Sequence, residues 1–288
     1  MSEHVERLRQ AALARVDSGD IEQALIDFDT ALAAASDDEM RELITINKAD
    51  AMIALDRSGP EVQALPVVIM RRRNLRHVYL AAYALAFKYR SANELKRATF
   101  YGQIALQTAE EAGEALWRAL ALNELASIYD MDSKFALAIE RGQGAVALLE
   151  QLGAEHAFRY GLALENLGAS KLLNDEFAEG VAIIERALPL ITAPTYRAEA
   201  YIDLCFGYLG LQQYERAREY GELGLDCASE SRQIRNAHYL LGEAAYNCGD
   251  IEAAESHFDH LTRFYPQFQN LKALLFAIDL RAMVNLKL

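Results

Sequence analysis

The chain has 288 residues, 52% of them apolar and 25% charged, with only 5 prolines, which describes an ordered folded protein and excludes a disordered one. Its 49 alanines favour helix and disfavour an all-β or doubly wound fold. A net charge of -13, from 29 basic against 42 acidic residues, favours solubility and argues against general affinity for nucleic-acid backbones or anionic lipid.

Met1 to Gln10 alternates charged with single apolar residues and lacks the apolar stretch and small-residue cleavage site of a secretory signal. The apolar run Val78 to Phe87 is closed off by Arg76 and His77 on one side and Lys88 and Arg90 on the other, too short to cross a membrane. Three widely spaced cysteines, Cys205, Cys227 and Cys248, propose neither a disulfide framework nor a zinc clip. A reducing, cytoplasmic location is expected, with the cysteines serving as small apolar groups.

Along the chain, two apolar segments with i, i+3, i+4 spacing, separated by a polar or glycine-containing turn, recur. The first copy has Ser18-Gly19-Asp20 followed by Ala24, Phe28 and Ala31. The second, around Ala49 and Ala64, is irregular: Gly59-Pro60 lengthens its turn, and Pro66 is expected to break its second helix. Then come Ala98 with Ala105, Ala138 with Ala145, Gly180 with Ala187, and Ala217 with Gly221. The last copy has Leu241-Gly242, Ala245, Gly249-Asp250, Ala254, Phe258, Leu261 and Pro266. Matched residues at 24, 64, 98, 138, 180, 217 and 254 are 34 to 42 positions apart. Gly102, Gly142 and Gly221 stand at helix crossings, where the missing side chain permits close approach.

The last copy resembles the tetratricopeptide repeat (TPR), with His238 in place of the usual tryptophan and Leu261 in place of the second alanine. The resemblance covers nearly the whole chain. It implies an all-α, TPR-like right-handed superhelical solenoid of antiparallel helix pairs in a single domain. The repeats are placed at about 5-36, 42-70, 77-110, 117-150, 160-193, 197-230 and 235-266. A C-terminal capping helix at about 268-288 follows, bearing Phe268, Leu271, Leu274, Leu275, Ile278, Met283 and Val284; its apolar end makes it a candidate homodimer contact.

Motifs for chemistry are lacking. The sequence has neither a phosphate-binding glycine loop followed by Lys-Ser or Lys-Thr nor a Gly-x-Ser-x-Gly elbow. His257 and His260 lack the glutamate and spacing of a zinc helix, so no metal and no cofactor are expected. The basic cluster Arg71-Arg72-Arg73-Asn74-Leu75-Arg76-His77 has no second basic stretch to extend it and reads as a solvated connection.

What the resemblance implies about function is non-enzymatic: a scaffold that binds a protein or peptide in the groove lined by each repeat's first helix. Family positions map that groove to Arg9, then Ile46 and Asp50, then Tyr83, Phe87 and Arg90. They continue with Asn123, Ser127 and Asp130, Glu165 beside Asn166, then Ile202, Phe206 and Leu209, and finally Tyr239, Glu243 and Tyr246. Aromatic rings alternating with amides and carboxyls suit an extended peptide or amphipathic helix. Two alternatives share this scaffold: a regulator whose curvature changes when a small ligand binds, and an adaptor that self-assembles through the terminal helix.

Overall fold

A computed structural model of the chain describes residues 2–264, and within them fourteen α-helices and two short 3₁₀ turns, with no strand among the described residues. The helices are α1 (Ser2–Asp17), α2 (Ile21–Ala34), α3 (Asp38–Ala54), α4 (Pro60–Arg71), α5 (Leu75–Ser91), α6 (Leu95–Ala112) and α7 (Ala115–Met131). They continue as α8 (Phe135–Leu152), α9 (Ala157–Leu173), α10 (Phe177–Ala187), α11 (Pro194–Gly210), α12 (Tyr214–Cys227), α13 (Ser231–Asn247) and α14 (Ile251–Phe264). The expected terminal helix at 268-288, the dimer contact assigned to it and Pro266 lie outside the described residues.

One turn geometry recurs seven times. After each odd-numbered helix, a single residue takes the left-handed conformation: Gly19, Asp56, Asn93, Ser133, Asp175, Gln212 and Gly249. At the first, the Gly19 N–H donates to the Val16 carbonyl at 3.0 Å and the Asp20 N–H to the Arg15 carbonyl at 2.9 Å. The other six repeat this pair of bonds, for example Gln212 to Leu209 at 2.9 Å and Gln213 to Tyr208 at 2.9 Å. These are the two bonds of the Schellman motif, which satisfy carbonyls that the helix end would otherwise leave unpaired.

The chain divides into two compact units between Ile128 and Tyr129, within α7. In the first unit α1 packs on α2, α3 on α4 and α5 on α6, and the odd-numbered helices also touch one another in order, α1 on α3 and α3 on α5. In the second unit the same scheme joins α9 with α10, α11 with α12 and α13 with α14, and lays α9 on α11 and α11 on α13. The odd-numbered helices are thus the first helices of successive pairs, each packed against its own partner and its neighbouring first helices. Burial on several sides explains why α11 hides Ala198, Ala200, Tyr201, Ile202, Leu204, Cys205, Phe206, Gly207, Tyr208 and Leu209.

The second repeat departs from the sequence expectation. Pro66 does not break α4, which runs unbroken from Pro60 to Arg71. Pro60 opens that helix at a position where proline's missing donor is harmless, and Val62, Leu65 and Val68 anchor it in the core, so tertiary packing outweighs the local cost at Pro66. Leu65, fully buried, takes the core place that the matched spacing assigns to Ala64, which is only half-buried.

Glycines mark the closest helix approaches. A Cβ on Gly102 would lie 2.7 Å from Leu125 Cδ2, and one on Gly221 2.7 Å from Leu241 Cδ2; at Gly142 the nearest atom, Leu167 Cδ1, is 3.2 Å away. Backbone meets backbone most closely between α9 and α10, where a Cβ on Gly168 would meet the Gly180 carbonyl at 3.0 Å and one on Gly180 the Gly168 carbonyl at 2.8 Å.

Candidate functional site

Within each unit, polar side chains connect successive first helices. In the first unit, buried Arg9 of α1 donates to Glu6 at 2.6 and 2.8 Å and crosses to Asn47 Oδ1 of α3 at 2.9 Å. Buried His77 of α5 meets Glu42 of α3 through Nδ1 at 2.8 Å. Arg90 of α5 grips Glu124 of α7 with Nε at 2.7 Å and Nη2 at 3.3 Å, and its guanidinium lies 5.1 Å over the Phe87 ring. Glu124 is 5% exposed; burial pushes its carboxyl up, and Arg90 opposes that shift.

Tyr83 is half-buried and stacks on Tyr79, whose ring in turn stacks on Trp117 at 4.9 Å. Water reaches Asp50, yet the protein surrounding it pushes its carboxyl up to about 6 by desolvation. Half-buried Asn123 accepts the Ser127 hydroxyl at its backbone carbonyl, 3.3 Å away. An open cleft of about 710 Å³ lies beside α3, α4 and the start of α5. Its basic wall, Arg71 and Arg73, faces Asp37, Asp38, Glu39 and Glu42, and Arg72 pairs with Glu111, so carboxylates meet the basic cluster from several sides.

In the second unit the cross-helix links are of another kind. Asp130, at the end of α7, accepts the Ser170 hydroxyl of α9 at 2.6 Å through Oδ2. Its Oδ1 is closed off from solvent with no hydrogen-bond partner among the described residues. Desolvation, with the Asp203 charge adding to it, holds this carboxyl up at about 7. Glu165 of α9, 8% exposed, hydrogen-bonds Asp203 of α11, so the two carboxyls share a proton. Burial first, then Asp203 and Glu199, pushes Glu165 well above the usual carboxylate range, while Asp203 is raised to about 7.

Next along, Glu199 of α11 is gripped by Arg232 of α13 and accepts Gln233 Nε2 at 2.9 Å. Half-buried Glu243 of α13, to which Tyr239 hydrogen-bonds, is raised by burial to about 7. Half-buried Asn166 gives its carbonyl to Ser170 at 2.9 Å, and Tyr246 is exposed.

Five of the expected apolar and aromatic groove residues are buried in the core. Phe206 sits edge-on to Phe177, and Tyr239 edge-on to Phe258, with 4% and 2% exposure respectively; Ile46, Ile202 and Leu209 are buried as well. On α11 the residues that reach the polar face are Glu199 and Asp203, which the family mapping passed over. The sequence signal for them is the i, i+4 spacing of two acids in an otherwise apolar helix.

His238 of α13 joins His257 and His260 of α14, its Nδ1 lying 3.0 Å from His257 Nδ1 and its ring stacked at 4.4 Å on His260. One of the two facing Nδ1 atoms must carry the proton and the other accept it. Burial, with the neighbouring histidines, depresses His238 to about 4. Among the described residues no group of three His, Cys, Asp or Glu side chains is placed to hold a metal ion.

No family model matches the chain. By sequence it is 28% identical over 100 residues to outer dynein arm-docking complex subunit 4 of Danio rerio, a match spanning 34% of this chain and 21% of that protein. By structure it is similar to the apo form of the quorum sensor NprR from B. thuringiensis, with a TM-score of 0.70, 15% identity and coverage of 96% of this chain and 80% of that one. It is equally similar to a Rap protein complexed with competence and sporulation factor, with a TM-score of 0.70, 13% identity and coverage of 96% and 80%. A signal-transduction ATPase from Pyrococcus horikoshii with a tetratricopeptide repeat sensor gives a TM-score of 0.69 at 14% identity, covering 96% of this chain and 44% of that one.

The fold is therefore that of a TPR solenoid of helix pairs.

Proposed function

We propose that this chain is a non-enzymatic scaffold in which each unit holds a peptide or a segment of another protein on the polar face of its own first helices. One observation carries the reading: within each unit, half-buried amides, carboxyls and rings recur on the first helices, whose remaining surface is apolar and alanine-rich. In the first unit these are Tyr83 and Phe87 on α5 and Asn123 on α7; in the second they are Asn166 on α9, Asp203 on α11, and Glu243 with exposed Tyr246 on α13. Such side chains present donors and acceptors to a ligand backbone beside apolar surface for its side chains. A fold shared with a quorum sensor and with a Rap protein complexed with competence and sporulation factor supports this role by analogy.

No helix among the described residues is long and apolar enough to cross a membrane, and a cytoplasmic location is part of this proposal. Neither a cofactor nor nucleic acid enters this reading. Selection of a displayed library of random nonapeptides on the intact chain tests it, with an Asn123→Ala, Asn166→Ala, Tyr246→Ala variant in parallel. Sequences enriched on the intact chain and lost on the variant are the expected result. Equal enrichment on both would remove the first-helix face as the binding site.

A further inference from the structure

On the scaffold reading, the second unit also indicates what kind of ligand it takes. Its first-helix face brings Asp130 of α7, Glu165 of α9, Glu199 and Asp203 of α11 and Arg232 of α13 within electrostatic reach of one another. Arg232 is already committed to Glu199 by both of its terminal nitrogens. Lys171 of α9 is likewise held, by Glu176 at 2.7 Å and Glu179 at 3.0 Å. The Arg232 charge still acts on Glu165 and Asp203 from a distance, but too weakly to offset their burial, and those two lean on each other through a shared proton.

Acidic groups in proximity are not by themselves a binding site. The independent observation is Asp130 Oδ1: a carboxylate oxygen shut away from water, with no donor among the described residues, beside the Asp203 charge. A buried acceptor without a donor is costly, and a folded protein retains one where something else supplies the donor. The required group must donate several hydrogen bonds and carry positive charge, because it faces three carboxyls. We infer that the second unit binds a lysine or arginine side chain of its peptide ligand among Asp130, Glu165 and Asp203.

The cation replaces the shared proton. Before binding, Glu165 holds that proton against Asp203; once the ammonium or guanidinium donates to both carboxylates, the proton leaves to solvent and the site's net charge is unchanged. Guanidinium fits well because its fork of donors can serve two carboxylates at once.

The test uses the full chain and the same displayed nonapeptides. Selected sequences are expected to carry arginine or lysine at one fixed position. A synthetic peptide of the best sequence should lose affinity about tenfold when arginine is replaced by citrulline, or lysine by acetyl-lysine, which keep the shape and remove the charge. Asp203→Asn, which keeps the side chain's size, should cost a similar factor with the original peptide and add little to the neutral one, a non-additivity that places the two groups in contact. Calorimetry at about pH 7 in phosphate and in Tris should show release of about one proton per peptide, lost in Asp203→Asn.

Selected peptides that bind equally well with the neutral residue would overturn the cation site and leave the scaffold standing. A library that enriches no sequence would overturn both. Should Asp203→Asn fail to fold, the neutral peptide on the unaltered chain still decides.

Discussion

The two units use the same architectural position for opposite purposes. Where successive first helices meet in the first unit, each link joins groups that satisfy one another: Arg9 with Glu6 and Asn47, His77 with Glu42, Arg90 with Glu124. In the second unit the equivalent links join acid to hydroxyl at Asp130 and Ser170, and acid to acid at Glu165 and Asp203, before a matched pair returns at Glu199 and Arg232. Complementary links fix one helix against the next and leave little for a ligand to add. Links short of positive charge hold the helices at some cost to stability, and a cationic ligand relieves that cost. The comparison teaches that the stack itself needs a polar contact at this position but does not dictate its charge.

The sharpest way to break the comparison is to remove one partner from each kind of link. Arg90→Met strands the nearly buried Glu124 carboxylate and should destabilise the chain by about 3 kcal/mol in urea unfolding, with much of the loss recovered when Glu124→Gln is added. Asp203→Asn in the second unit should have the opposite sign, because it removes like-charge repulsion while preserving a hydrogen bond to Glu165. If both substitutions destabilise equally, the second-unit acids are structural and the contrast disappears.

The tight helix crossings offer a second test, one step smaller. Gly180→Ala pushes a methyl into the Gly168 carbonyl, which cannot move aside without shifting α9, and should cost about 2–3 kcal/mol. In the first unit, Gly102→Ala meets only side-chain atoms, of Leu125 and Ile128, and gains about 1 kcal/mol of helix propensity, so its net effect should be well below that of Gly180→Ala. Thermal unfolding of the two variants compares them directly.

Acid and base should also separate the units. A carboxyl whose pKa is raised by folding binds its proton more tightly in the native state, so its environment is best tolerated below the unfolded carboxyl pKa and stability falls as pH rises through the folded value. Asp130, Asp203 and Glu243, each held near 7, therefore predict a loss of stability that begins near pH 4, where the unfolded carboxyls ionise, and continues to about pH 8. Glu6, lowered to about 2 by its bonds to Arg9, behaves oppositely: its contribution is present above the usual carboxyl pKa and lost as pH falls towards 2. Asp50, raised to about 6, places one group of the second unit's kind in the first. Melting temperatures across this range should fall with pH in the unaltered chain and fall less steeply in Asp203→Asn.

The helix pairs were legible in sequence because each repeat carries the same small residues at the same distance from a turn; Ala98, Ala138, Ala217 and Ala254 are all fully buried where that spacing puts them. The second repeat was legible in outline only: its long turn at Gly59-Pro60 shifts the register, so Leu65 and not Ala64 fills the core. The polar face was harder to read for a physical reason. A first helix of this stack packs on its partner and on two neighbouring first helices, so apolar residues cover most of its circumference and no single stripe identifies the open side. On α11 that ambiguity amounts to one position, Ile202 for Asp203, and one position is about 100° of helix rotation. The shared proton of Glu165 and Asp203 has no sequence signature, since it arises from two helices meeting 38 residues apart.

The smallest predicted effect returns to the turns, where both units follow one rule. Gln212 and Ser133 hold the left-handed conformation with φ of 59° and 56°, a state that costs a residue with a side chain about 1 kcal/mol and costs glycine almost nothing. Gly19 and Gly249 occupy the same place in the first and last turns with φ of 84° and 82°, and a Cβ there would meet nothing within 4 Å, so backbone strain alone decides the outcome. Gln212→Gly should therefore raise stability by about 0.5 kcal/mol after the added entropy of the unfolded chain is set against the relieved strain, and Gly249→Ala should lower it by about 1 kcal/mol. Asn93 and Asp175 should respond less to glycine than Gln212 does, because their short polar side chains already tolerate this conformation. A uniform response to glycine at Gln212, Asn93 and Asp175, read from chemical unfolding, would show that the loop's hydrogen bonds and not its backbone strain set the energy of these turns.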